Sequence, residues 1–128
     1  MMQQDTICAI ATAQGGAIGV IRVSGPEAIN ITSNIFTPIS GQSLDERKPY
    51  TLTFGKILSS EGEIIDEVLV SVFRAPHSYT GEDSTEISCH GSSYILQQVM
   101  RRLIVCGCRL AEPGEYTLRA FLNGTWVF

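Results

Sequence analysis

The run Asp66–Ala75, DEVLVSVFRA, does most to limit the folds open to this chain. Val68, Val70 and Val72 alternate strictly against Leu69, Ser71 and Phe73, the two-residue period of a β-strand. Both sets are largely apolar, which places the strand inside a sheet rather than at its edge. YTLTFGKIL (residues 50–58) is also strand-like, and the intervening SSEGEII holds a turn near Glu61-Gly62, so the two predict a hairpin. DTICAIAT (5–12) and AIGVIRVS (17–24) predict a second hairpin, and STEISCH (84–90) a further short strand.

Helical patterning is sparser. GSSYILQQVMRRLIVCG (91–107) gives the clearest helix, with Ile95, Leu96, Val99, Leu103 and Ile104 as its apolar stripe. Ser92 or Ser93 is placed to cap its start, and Gly107 to close it in a left-handed conformation. GPEAINITSNIF predicts a shorter helix with Pro26 in the first turn and Ala28, Ile29, Ile31 and Ile35 inward. A polar loop, Thr37–Pro49, follows. CRLAEPGEYTLRAFLNG predicts a short strand, a Pro-Gly turn and a final helix closed by Gly124. Strand pairs without regular βαβ alternation imply an α+β domain: a mixed, largely antiparallel sheet with two to three helices.

Composition narrows the function classes. A chain of 128 residues, 44% hydrophobic and 17% charged, suits one folded domain. Its net charge of -4 and its one local basic cluster, Arg101-Arg102, argue against gripping nucleic acid unaided. No apolar run reaches the roughly 20 residues that cross a bilayer. The start MMQQDTICAI has no basic segment of the secretory kind. Cys8, Cys89, Cys106 and Cys108 are therefore expected as reduced thiols of a cytoplasmic protein.

Most motif-like features have plain structural readings. The glycines of QGGAIG lead into a strand, where a dinucleotide loop would open a helix, and no phosphate loop of the G-x-x-x-x-G-K-[ST] type is present. A tight hairpin turn accounts for them. Cys89-His90 with Cys106-x-Cys108 lacks the paired spacing of a structural zinc site, so no metal is expected. Glu82-Asp83 read as solvated turn acids, because neighbours on a turn point apart; no catalytic residue is assigned. Arg22, inside GVIRVSG, is either a charge on a half-exposed strand face or a planar donor fork projecting into a pocket. Glu86, inside STEIS, is the mirror case, a strand-held carboxylate able to accept two parallel N–H bonds.

Three long segments, DTICAIATAQGGAIGVIRVSGPEA, APHSYTGEDSTEISCHGSSYIL and GCRLAEPGEYTLRAFLNG, resemble in order the amino-terminal domain of the tRNA-modification GTPase family MnmE/TrmE. The resemblance implies a tetrahydrofolate-binding domain (5-formyl or 5,10-methylene form) similar to the folate domain of glycine-cleavage aminomethyltransferases. It implies a homodimer as well. In the whole protein it implies further helical and GTP-binding domains, the latter with Mg and K. It also implies a flavoprotein partner, MnmG (GidA), with which the wobble uridine of tRNA is modified, the folate supplying the one-carbon unit. Carried over residue by residue, the family's folate contacts fall on Arg22 and Glu86. Residues 1–124 correspond to the domain; 125–128 form an atypical tail in which Thr125 stands where the family has a lysine. Two alternatives accompany this reading: a dimerisation-only module, and a stand-alone one-carbon transferase, for which no acid–base constellation is evident.

Overall fold

The computed structural model describes residues 5–13 and 15–125. Among these, seven strands form one mixed sheet: β1 (Ile7–Ile10), β2 (Ile18–Ser24), β3 (Phe36–Pro38), β4 (Leu52–Leu58), β5 (Ile64–Phe73), β6 (Ser84–His90) and β7 (Arg109–Leu110). The spatial order is β3-β4-β5-β6-β2-β1-β7, antiparallel throughout except that β7 runs parallel to β1. Three helices accompany it: α1 (Ala28–Ile35), α2 (Ser93–Val105) and α3 (Glu115–Leu122). The α+β expectation and both hairpins hold. Gln14 of the QGGAIG segment and Trp126 to Phe128 of the expected tail lie outside the described residues.

One face of the sheet carries α1 and α2, and the core lies between. Val68, Val70 and Val72 of β5, Ile21 and Val23 of β2, and Ile87 of β6 are buried against Ile29, Ile35, Val99 and Leu103. The other face is largely open. β5 is therefore internal in order but is covered on one side only, with Glu67 and Leu69 exposed.

Several local expectations need correction. Pro26 sits in the turn before α1, where the Ala28 amide donates to Gly25 O. The polar loop contains the edge strand β3 and a 3-10 turn at Leu44–Glu46, whose Leu44 is fully buried. A single inward leucine amid polar residues carries no periodicity to read. On α2 the buried stripe is Leu96, Val99, Met100 and Leu103, a strict i, i+3, i+4, i+7 set. Ile104 is 45% exposed, since one residue further round the helix points past the sheet. Ser92 Oγ accepts from the Ile95 amide at 3.3 Å, and Gly107 is left-handed at φ +119°, so both ends of α2 close as expected.

α3 is inside out by the ordinary rule. It buries Arg119 and Ala120 and exposes Leu118, Phe121 and Leu122. No helix among the described residues is long and apolar enough to cross a membrane.

Candidate functional site

The β2–β6 register decides where the two candidate residues go. Arg22 and Glu86 are direct cross-strand partners, so their side chains leave the same face of the sheet. That is the open face, because Ile21, Val23 and Ile87 occupy the helix-covered one. The pair is in contact: Arg22 Nε donates to Glu86 Oε2 at 3.1 Å, with each side chain about one-third exposed. Arg22 is thus a charge on a half-exposed strand face, paired across the strands with a carboxylate. The remaining edge of each group is unused: among the described residues Arg22 Nη1 and Nη2 and Glu86 Oε1 have no hydrogen-bond partner.

Two tyrosines frame the guanidinium. The Tyr79 ring centroid lies 5.6 Å from Arg22 Cζ and that of Tyr116 lies 5.7 Å away, both within cation–π range. Tyr116 Oη donates to Arg22 O at 2.5 Å, pinning α3 to the backbone of β2, and burial pushes its phenol pKa upward. Tyr79 is half exposed, and its hydroxyl lies 3.2 Å from Thr117 Oγ1. Thr125 Oγ1 donates to Tyr79 O at 2.6 Å, so its hydroxyl serves to tie the 76–83 loop to the end of α3.

Behind the site lies a charge network that sequence reasoning missed. Arg119, 3% exposed, donates to Asp5 O (2.9 Å), Asp5 Oδ1 (2.7 Å), both oxygens of Glu82 (3.1 and 3.2 Å) and Glu115 Oε2 (3.2 Å). Arg109 forks onto Asp5 and Glu115 from the other side. Those Arg109 hydrogen bonds are the main reason the Asp5 and Glu115 carboxyls are held below the ordinary range. Burial opposes the charge on Arg119, but Glu82, Asp5 and Glu115 outweigh it and its pKa rises.

Glu82 is accordingly not a solvated turn acid. It is mostly buried, pairs with Arg119 and accepts from Ser24 Oγ at 2.8 Å, while Asp83 Oδ1 accepts the Ala75 amide. The reason is tertiary: α3 delivers a cation to a turn whose sequence looks merely polar. Glu115 and Arg119 at i, i+4 would ordinarily mark an exposed helix face, so the one available signal pointed the wrong way.

The cysteines are free; Cys8, Cys89 and Cys108 are buried, and burial pushes the Cys89 thiol up to about 12. No group of three metal-ligating side chains occurs among the described residues.

A cavity of about 540 Å³ lined by Arg109, Glu112, Pro113, Gly114, Glu115 and Leu118 lies beside the start of α3. Its one cation, Arg109, is already saturated by Asp5 and Glu115. Unspent donors and acceptors, rather than volume, single out Arg22 and Glu86.

Comparison with known proteins agrees with the sequence resemblance. The family model described as "GTP-binding protein TrmE N-terminus" matches residues 6–125. The chain is 79% identical over 124 residues to the tRNA modification GTPase MnmE of Bacteroides fragilis, covering 96% of this chain and 26% of that protein. The protein of the same name from Bacteroides thetaiotaomicron is 78% identical over 124 residues, with the same coverage of both chains. That from Parabacteroides distasonis is 60% identical over 122 residues, covering 94% of this chain and 26% of that protein. The chain spans about a quarter of the length of these relatives. It belongs to the TrmE amino-terminal family, the amino-terminal domain of tRNA modification GTPases.

Proposed function

We propose that this domain binds a reduced folate at Arg22 and Glu86 and self-associates, as part of a GTPase that modifies the wobble uridine of tRNA together with the flavoprotein MnmG (GidA). In that scheme the folate, in its 5-formyl or 5,10-methylene form, supplies the one-carbon unit, and the domain is a cytoplasmic cofactor-delivery module of the aminomethyltransferase kind. GTP, with Mg and K, belongs to a different domain of the whole protein.

The observation that carries the reading is the half-satisfied Arg22–Glu86 pair: two free guanidinium NH2 groups beside one free carboxylate oxygen, on an open sheet face and flanked by tyrosine rings. A reduced pterin presents a carbonyl next to ring and exocyclic N–H groups, the matching pattern of acceptor and donors. The test is calorimetric titration of the chain with 5-formyltetrahydrofolate. Binding abolished by Arg22→Ala and by Glu86→Ala, with circular dichroism unchanged, is the expected result. No heat and no thermal stabilisation at millimolar ligand, with the fold intact, would refute it.

A dimerisation-only role is the second reading. It is favoured by Thr125, whose hydroxyl is engaged with Tyr79 O where the family would supply a lysine. Sedimentation would then give a dimer indifferent to folate.

A further inference from the structure

The basic cluster of the sequence, Arg101-Arg102, has no part in the site at Arg22 and Glu86, yet the fold gives it a setting of its own. Gln98, Arg101, Arg102 and Val105 stand at i, i+3, i+4 and i+7 on α2, a stripe beside the buried one. The stripe borders the turn between β4 and β5. A groove of about 240 Å³ lies there, its other wall formed by Ser59, Ser60, Glu61 and Ile65. Arg102 spans the two walls: its Nε donates to Leu58 O at 3.0 Å, which orients the guanidinium and leaves both terminal NH2 groups without a partner among the described residues. Arg101 is exposed and makes no hydrogen bond or ion pair among the described residues. The Gln98 amide and the Ser60 hydroxyl are unpaired in the same way. Ser59 Oγ, by contrast, is spent on closing the turn, accepting from the Glu61 and Glu63 amides at 3.2 and 3.1 Å. Glu61 is the one acid of the lining and pairs with neither arginine, so two cations face one anion in a chain whose net charge is -4.

We infer that this groove is a seat for one backbone phosphate of an RNA, held by the free edge of Arg102, by Arg101 and by the neutral donors of Gln98 and Ser60. A guanidinium anchored through Nε presents its two outer NH2 groups as a fork, the match for paired phosphate oxygens. Gln98 and Ser60, one on each wall, add donors without adding a negative charge. Ile65 and Val105 supply an apolar floor on which a ribose can rest. The choice of RNA over an acidic peptide rests on the tRNA part of the function proposed above. It does not rest on the folate part, because the groove is bounded by α2, on the sheet face opposite to the one that Arg22 and Glu86 leave. A single seat also agrees with the acidic composition. Phosphate contacts fix register and orientation rather than sequence, so one of them positions an RNA whose main grip lies elsewhere. The steep salt dependence of proteins that make about six to ten such contacts is not expected here.

The test is an amide NMR titration of the full chain with a short RNA stem-loop, with inorganic phosphate and a hexaglutamate peptide as separate probes. The RNA is expected to shift the amides of Ser60, Glu61, Arg101 and Arg102 with a Kd of about 1 mM at low salt, weaker than ordinary non-specific binding. The logarithm of the affinity should fall with that of salt at a slope of about -1, the share of one phosphate. Arg102→Ala should weaken binding about fivefold or more, and Arg102→Lys, which keeps the charge but loses the fork, should fall between it and wild type. Glu61→Gln removes the opposing charge and should tighten binding about twofold, a gain that a merely structural role would not produce. Amides far from the groove that keep their positions in each variant show that the fold is retained. An Arg102→Ala variant that binds like wild type, a Glu61→Gln variant that binds no tighter, or RNA that shifts no amide of the groove overturns the seat. RNA acting no better than inorganic phosphate, or hexaglutamate acting at lower concentration than RNA, overturns the assignment to RNA. The tRNA reading itself is checked apart from the groove, by mass spectrometry of the wobble uridine in a strain lacking the gene.

Discussion

Arg119→Met is the most informative perturbation of the fold. The substitution keeps most of the side chain's length and apolar stem but removes a guanidinium that is 3% exposed and contacts three carboxylates. Removing one partner from a buried ion pair costs about 3–5 kcal/mol, because the other charge is left without compensation. Arg109 still serves Asp5 and Glu115 in the variant, so the uncompensated group is mainly Glu82, which retains a bond from Ser24. The loss should therefore lie near the lower end, about 3 kcal/mol, a large share of the roughly 5–15 kcal/mol that holds a domain together. In thermal terms this is roughly 10–15 °C for a chain of this size. Urea unfolding followed by circular dichroism measures it directly. Adding Glu82→Gln to Arg119→Met should recover part of the loss, since the orphaned charge is then gone. A cost below about 1 kcal/mol for the single variant, or strict additivity in the double, would show that the network is incidental to the attachment of α3.

Other outcomes follow from the same structure. Leu103→Ala should cost about 2–5 kcal/mol and Ile104→Ala within about 0.5, because only the first is buried; urea midpoints distinguish them. Gly91→Ala should destabilise by about 1–3 kcal/mol, since an added methyl would collide with the backbone carbonyl of Gly16 across the β2–β6 end. Ser92→Ala removes the cap of α2 and should lower stability by about 1 kcal/mol in the same assay. Asp5 and Glu115 have depressed pKa values in the folded state, so their contribution is complete above their ordinary values of 3.8 and 4.5 and is lost as pH falls through the folded ones. Stability should be flat near neutrality and fall below about pH 4, and the fall should be shallower in Arg109→Ala, which removes the largest cause of both shifts.

What the sequence discloses and what it conceals divide along the range of the interactions. Alternation in β5 and the i, i+3, i+4 spacing of α2 are local, and both elements stand where their patterns put them. Arg22 and Glu86 could each be singled out by residue type on a strand, yet nothing local says that they touch; that depends on a pairing 64 residues apart in the chain. Tyr79 and Tyr116 went unnoticed because an aromatic residue in a turn or on a helix is ordinary until something brings a cation beside it. α3 misleads for a physical reason as well. Its charged face is satisfied by charges from the amino terminus and the 76–83 loop, so polar residues go inward against the usual rule.

The facing of Arg22 and Glu86 has a consequence for how the protein can vary. Side chains alternate between the two sides of a strand, so a slip of β2 by one position against β6 would carry Arg22 toward the helices and bring Ile21 or Val23 out to water. Insertions are tolerable at the Glu61-Gly62 turn, whose ends already pair, but a change within either of the two strands would erase the pair while leaving composition and overall helicity almost untouched. Under the proposed function, competence to bind is in this sense a readout of alignment. A ligand held there would in turn favour the aligned state by mass action, acting as a check that the two distant halves of the chain have met in step.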